Sequence, residues 1–137
     1  MRILVTGGAG FIGGAVIRHI LGETGNAVTV LDKFTYAANE QALLAAASPL
    51  LAVERGDIRD EAFVAGVMAR HDPDAIMHLA AETHVDRSID GPAGFIETNV
   101  VGTRVLLDAA LVHWRRLGGR RRGRKWRWGR ATAQQRV

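Results

Sequence analysis

Short apolar runs alternate along this chain with longer amphipathic stretches. Ile3-Leu4-Val5, residues 27–31, residues 50–54 and residues 75–79 are each too brief for a helix and are bounded by glycine, proline or acidic residues, which predicts four strands. Between them, residues 11–21, 40–47, 60–71 and 94–112 predict four helices. Ser48-Pro49 closes the second helix, Asp60-Glu61 suits the first turn of the third, and Asp72-Pro73 stops it.

Strands that are continuous apolar runs need cover on both faces, and strands alternating with helices pair in parallel. Right-handed crossovers then give the order 3-2-1-4, with a crevice between strands 1 and 4. The expected fold class is α/β, a Rossmann-like doubly wound parallel sheet that stops after four strands. Ligands of such sheets bind beyond the carboxyl ends of the strands. The unusual polar residues of this chain sit there, just after strands 1 to 4.

Strand 1 runs into Thr6-Gly7-Gly8-Ala9-Gly10-Phe11-Ile12-Gly13. Glycines at 7, 10 and 13, between a strand and a helix, suit the grip on a pyrophosphate. Gly7 permits the tight turn, Gly10 lets the backbone approach the phosphates, and Gly13 lets helix and strand pack closely. The helix offers free N–H groups and the positive end of its dipole. Asp32 ends strand 2, where a carboxylate can accept from ribose hydroxyls and repel a 2′-phosphate, which favours NAD over NADP; Lys33 beside it works the other way. Asp57-Ile58, after strand 3, can receive the adenine edge, and the same spacing also fits a helix N-cap region.

The loop after strand 4 reads Leu79-Ala80-Ala81-Glu82-Thr83-His84-Val85-Asp86-Arg87-Ser88. Ala80 and Ala81 are small enough for a flat cofactor to lie against the backbone, and Thr83, His84 and Arg87 can face a substrate. For His84 alone, an exposed loop residue is the better reading. Thr98 and Asn99 lie within the last predicted helix, where they face either solvent or the cofactor. His19, His78 and His113 lack metal spacing and read as structural, so no metal site is expected.

Charge divides the chain in two. Residues 1–113 hold eight Lys/Arg against all fourteen Asp/Glu, whereas residues 114–137 hold ten Lys/Arg and no acid. The expected organisation is therefore a partial NAD-binding domain, 1–113, followed by a basic Arg/Gly/Trp tail, 114–137. Three readings of that tail stand: a reading-frame shift near codon 113, a disordered solvated segment, or a nucleic-acid-binding arm using Trp114, Trp126 and Trp128. The chain has no cysteine, which excludes disulfides and thiolate sites. No apolar run approaches the roughly 20 residues of a membrane span. Strand 1 begins at the first residues and leaves no room for a secretory signal. A cytoplasmic protein is expected.

The segments TGGAGFIGG, DKFTYAAN, GDI, LAAETHVDRSI and FIETNVVGT resemble the extended short-chain dehydrogenase/reductases, and within them the dTDP-glucose 4,6-dehydratases. The resemblance runs from Met1 to about Val112, as an N-terminal fragment would. It implies NAD as cofactor, held by Phe11, Ile12, Asp32, Lys33, Phe34, Thr35, Asp57, Ile58, Leu79, Ala80, Ala81, Glu82, Thr83 and Thr98. It also implies that Thr83 touches the sugar nucleotide and that the full-length enzymes are homodimers. Another NAD-dependent sugar-nucleotide epimerase or dehydratase is the alternative, as is a non-catalytic nucleotide-binding fragment with a nucleic-acid-binding tail.

The chemistry implied for the family is conversion of dTDP-glucose to dTDP-4-dehydro-6-deoxyglucose, a precursor of rhamnose and other deoxysugars. It uses a Tyr-x-x-x-Lys pair to take the C4 hydroxyl proton as hydride leaves C4. A Thr-Asp-Glu segment removes the C5 proton and expels the C6 hydroxyl. Neither motif occurs in this chain: its one tyrosine, Tyr36, is followed four residues later by Glu40, and its lysines are Lys33 and Lys125. No catalytic residue is assigned, and this polypeptide is expected to be inactive by itself.

Overall fold

The computed structural model describes residues 1–35, 38–39, 43, 48–83 and 92–120. In chain order these form β1 (Arg2–Thr6), α1 (Phe11–Glu23), β2 (Ala27–Asp32), β3 (Leu51–Arg55), α2 (Glu61–His71), β4 (Ala75–His78), α3 (Pro92–Ile96), a π-helical segment (Glu97–Gly102) and α4 (Thr103–Arg120). All pairings are parallel and the order is β3-β2-β1-β4. This is the doubly wound arrangement expected from the pattern. The alanine-rich helix predicted over 40–47 falls, Leu43 apart, outside the described residues.

Alternation along the strands decides which helix covers which face. Ile3, Val5, Val28 and Val30 point to one side and pack with Ile17 and Ile20 of α1. Leu4 and Leu31 point to the other, against Val64, Val67 and Met68 of α2 and Val105, Leu106 and Ala110 of α4. β1 is therefore buried on both faces, with Leu4 and Val5 fully enclosed.

Local signals explain the helix ends. Asp60 caps α2, its carboxylate accepting from Phe63 N at 2.9 Å, which satisfies one of the free N–H groups of the first turn. Asp72, at φ 43°, closes the helix in the left-handed conformation. The last helical stretch is longer than the predicted 94–112: α3, the π-helical segment and α4 follow one another directly, and α4 ends at Arg120. Its inner face continues through Leu106, Ala110, His113 and Leu117, all buried, at spacings of four, three and four. Buried His113 donates from Nε2 to the Pro73 carbonyl at 3.1 Å, tying α4 to the end of α2. The arginines of this last part do not oppose it, because arginine is a good helix former and suits a helix C-terminus.

Candidate functional site

The C-terminal ends of the strands enclose a cleft lined by Gly7, Gly10, Leu31, Asp32, Lys33, Thr35, Ala38, Gly56, Asp57, Ile58, Leu79, Ala80, Ala81, Glu82 and Thr98. Its enclosed space is about 140 Å³, below the ~300–1,000 Å³ of a closed small-molecule pocket. A larger groove of about 510 Å³ runs between α2 and α4. That groove lies on the helical flank and holds none of the glycine-loop or strand-end residues, so the smaller cleft is the candidate site.

Backbone geometry builds the β1–α1 corner. Gly7 stands at φ +69°, and a Cβ there would come within 2.5 Å of Ala80 N. At Gly13 a Cβ would run into the Gly7 carbonyl and lie 2.7 Å from Gly8 Cα. Glycine is thus required twice, once for conformation and once for contact. Gly10 is the N-cap of α1 and makes no side-chain cap bond. Serine, threonine, aspartate or asparagine would ordinarily satisfy the helix N–H groups at this position. Their absence leaves donors for an anion in the cleft. Phe11 and Ile12, 93% and 65% exposed, are not among the residues that line it.

Asp32 holds the corner together. Its Oδ2 accepts from Ala9 N at 2.9 Å and its Oδ1 from Phe34 N at 2.7 Å. Each carboxylate oxygen keeps a lone pair for a ligand hydroxyl. Phe34 adopts φ 55°, packs on the α1-side core, and carries the Arg55 guanidinium 4.0 Å above its ring. Its side chain is accordingly part of the wall behind the cleft, not of the lining.

Asp57 is the most strongly perturbed acid of the site. Arg59 binds it through Nε and through a 2.7 Å contact from a terminal nitrogen, and Lys33 Nζ lies 2.8 Å away. These cations, Arg59 first, hold the Asp57 carboxyl well below the usual carboxylate range, against the opposing effect of burial. Lys33 is thereby paired away from Asp32. Asp57 does not cap α2, a task that belongs to Asp60.

Side chains, not glycines, build the β4 corner. Glu82 N donates to Asn99 Oδ1 at 2.8 Å, and Asn99 Nδ2 donates back to Glu82 O at 2.9 Å. Asn99 therefore faces the backbone of the post-β4 loop, a third possibility besides solvent and cofactor. Thr98 lines the cleft. Ile58, buried, lies over Gly102, where a Cβ would come within 2.7 Å of its Cδ1 and Cγ1. Thr83 is exposed and outside the lining, while His84 and Arg87 fall outside the described residues.

Sequence reasoning omitted three lining residues: Leu31, Ala38 and Gly56. Leu31 and Gly56 adjoin the predicted Asp32 and Asp57 at strand ends, which was signal enough. Ala38 carried none. Among the described residues no group of three or more histidine or acidic side chains is arranged to hold a metal ion. No helix among them is long and apolar enough to cross a membrane.

Comparisons with known proteins agree with this geometry. The family described as GDP-mannose 4,6 dehydratase matches residues 4–122. The dTDP-glucose 4,6-dehydratase 1 of Escherichia coli K12 is 57% identical over 115 residues, which are 83% of this chain and 32% of that protein. The dTDP-glucose 4,6-dehydratase of Neisseria meningitidis serogroup B is 54% identical over 117 residues, 85% of this chain and 33% of that protein. Among solved structures, the dTDP-glucose 4,6-dehydratase of Streptomyces venezuelae, with NAD bound, superposes with a TM-score of 0.78 at 47% identity, covering 83% of this chain and 37% of that one. The UDP-glucose 4-epimerase of Thermus thermophilus, in complex with NAD, gives 0.74 at 32% identity, covering 83% of this chain and 35% of that one. The chain spans about a third of the length of the curated relatives it matches. It belongs to the GDP-mannose 4,6 dehydratase family, and within that family it is homologous to the dTDP-glucose 4,6-dehydratases.

Proposed function

We propose that this chain is the NAD-binding part of a dTDP-glucose 4,6-dehydratase, a cytoplasmic lyase that makes dTDP-4-dehydro-6-deoxyglucose for deoxysugar synthesis. The observation that carries the reading is the uncapped start of α1 at Gly10, opposite a carboxylate, Asp32, locked to the glycine loop. The residues fit NAD. The Gly7–Gly10–Gly13 corner takes the pyrophosphate, Asp32 the adenosine ribose, and Asp57 with Ile58 the adenine. Ala80 and Ala81 provide the flat wall toward the nicotinamide. When bound, NAD supplies the hydride acceptor at C4 of the sugar. These residues hold and orient it, while Thr83, His84 and Arg87 meet the sugar nucleotide. Asp32 also sets the preference against a 2′-phosphate, and Lys33, a cation that would tolerate one, pairs with Asp57.

The identities favour a dehydratase over an epimerase, at 47% against 32% for the two solved structures compared. Turnover itself requires residues this chain does not hold, so the polypeptide binds NAD without converting substrate. We further infer a partial domain over 1–113 and a separate origin for the basic tail, 114–137, in a shifted reading frame; the first residues of that tail prolong α4 to Arg120, with Leu117 still on its buried face. Full-length relatives are taken to pair as homodimers.

Calorimetric titration with NAD and NADP tests the binding reading: NAD is expected to bind and NADP to bind at least about tenfold more weakly. Equal affinities would refute the role of Asp32. The intact mass of the native product, set against the gene resequenced across codon 113, tests the tail. A product of ordinary family length makes the tail an error, whereas a stable species near 14.8 kDa makes it real and turns attention to its nucleic-acid binding.

A further inference from the structure

A continuous chain of hydrogen bonds joins the end of β1 to the lip of the cleft, and His78 is its centre. The Thr103 hydroxyl donates to Asn99 O at 2.7 Å. Its proton is therefore committed, and toward His78 Nε2, 3.0 Å away, it can only accept. Nε2 must then carry the imidazole proton, which leaves Nδ1 as the acceptor for the Thr6 hydroxyl at 2.6 Å. The Thr6 oxygen in turn receives Leu79 N and Ala80 N, both at 3.3 Å. Leu79 N is shared, donating also to the Thr6 carbonyl at 3.0 Å, and this assignment of protons gives both hydroxyls and both ring nitrogens a partner.

We propose that His78 is a positioning residue for this site: neutral and protonated on Nε2, it fixes the π-helical segment against β1 and so sets where Asn99 holds Glu82. A π-helical turn carries one residue more than an α-helical turn and is tolerated where something holds it open. Here Ile58 packs against it at Gly102, and His78 holds it at Thr103 from the sheet side. Thr103 and Asn99 lie four residues apart, so fixing one hydroxyl fixes the Asn99 carbonyl and, through it, the amide that clamps both backbone groups of Glu82. Burial pushes the imidazole pKa down, which keeps the ring neutral at pH 7. A charged ring would lose its acceptor and break the link to Thr6. A histidine that merely fills a strand position would leave Glu82 indifferent to these bonds.

The consequence for ligand binding rests on the NAD reading above, whereas the hydrogen-bond chain does not. In the full polypeptide, Thr103→Val removes the hydroxyl at nearly constant volume and Thr103→Ser keeps it. Exchange of the Glu82 amide proton is expected to quicken about tenfold in T103V, while T103S stays within about twofold of the parent. The β1–β2 ladder amides are expected to hold their rates in both. Equal rates in T103V and T103S overturn the proposal. The parent chain provides a test that needs no variant: a long-range proton–nitrogen spectrum of His78 should show protonation on Nε2, and a proton on Nδ1 overturns it. Failure of the parent to bind NAD would remove the binding reading alone, since exchange and tautomer still decide the role of His78.

Discussion

The β1–α1 corner and the β4 corner border one cleft, yet they are held by different chemistry. At the first, backbone meets backbone: Gly7 lies against Ala80, Gly13 against Gly7, and one carboxylate, Asp32, gathers the loop. At the second, three side chains pass hydrogen bonds along to a backbone carbonyl, Thr6 to His78 to Thr103 to Asn99 O. The first corner has no slack, because an added methyl has nowhere to go. The second can lose a link and still fold, since each link is a single neutral hydrogen bond worth about 1 kcal/mol. A binding site thus combines a rigid anchor for the ligand's charge with an adjustable edge beside it.

The comparison can be broken most sharply at Gly13. Gly13→Ala should cost about 3 kcal/mol or more, because the new methyl meets the Gly7 carbonyl and Gly8 Cα, which are backbone and cannot move aside. Urea unfolding measures it, and a cost under ~1 kcal/mol would deny the close contact. Next comes Asp32→Asn, which leaves either Ala9 N or Phe34 N facing an amide NH₂. We expect about 2 kcal/mol of destabilisation and a fall of about tenfold in the NAD-to-NADP affinity ratio, read by paired titrations. Thr6→Val, at the buried start of the other chain of bonds, should cost about 1–2 kcal/mol by stranding His78 Nδ1. If Thr6→Val proved as costly as Gly13→Ala, the two corners would not differ in kind.

Acid should act first on the β4 corner and then on Asp57, the acid that follows β3. The folded pKa of His78 lies below its usual 6.5, so the unfolded chain binds the proton first. Stability should therefore begin to fall as the pH drops below about 6.5. Asp57 is also depressed, from 3.8, so its contribution is intact above that value and is lost only in stronger acid. Thermal melts from pH 8 down to pH 1.5 would resolve the two steps, with the upper one missing in His78→Gln.

Much of the first corner was legible because its constraints are local. Gly7, Gly10 and Gly13 are close in sequence, and Asp32 lies one strand later, so spacing alone located them. The four strands and their order were legible for a similar reason: continuous apolar runs have one burial solution in a parallel sheet. The second corner was not. Thr6 and His78 are 72 residues apart and His78 and Thr103 are 25 apart, and a histidine in an apolar strand carries no periodic signal. The length of α4 was hidden differently, since the arginine-rich composition after His113 masked the regular spacing of Ala110, His113 and Leu117.

The sequence by itself determined the alternation of strands and helices, the glycine corner and the acids that follow strands 2 and 3. These depend on residue type and short spacing, which act before the chain has folded. Only the tertiary structure decided that Lys33 pairs with Asp57, that Asn99 clamps Glu82, and which nitrogen of His78 carries the proton. Each of these depends on which groups the parallel crossovers bring within 3 Å, and hydrogen bonds of that length are selected by the packed sheet, not by the order of residues along the chain.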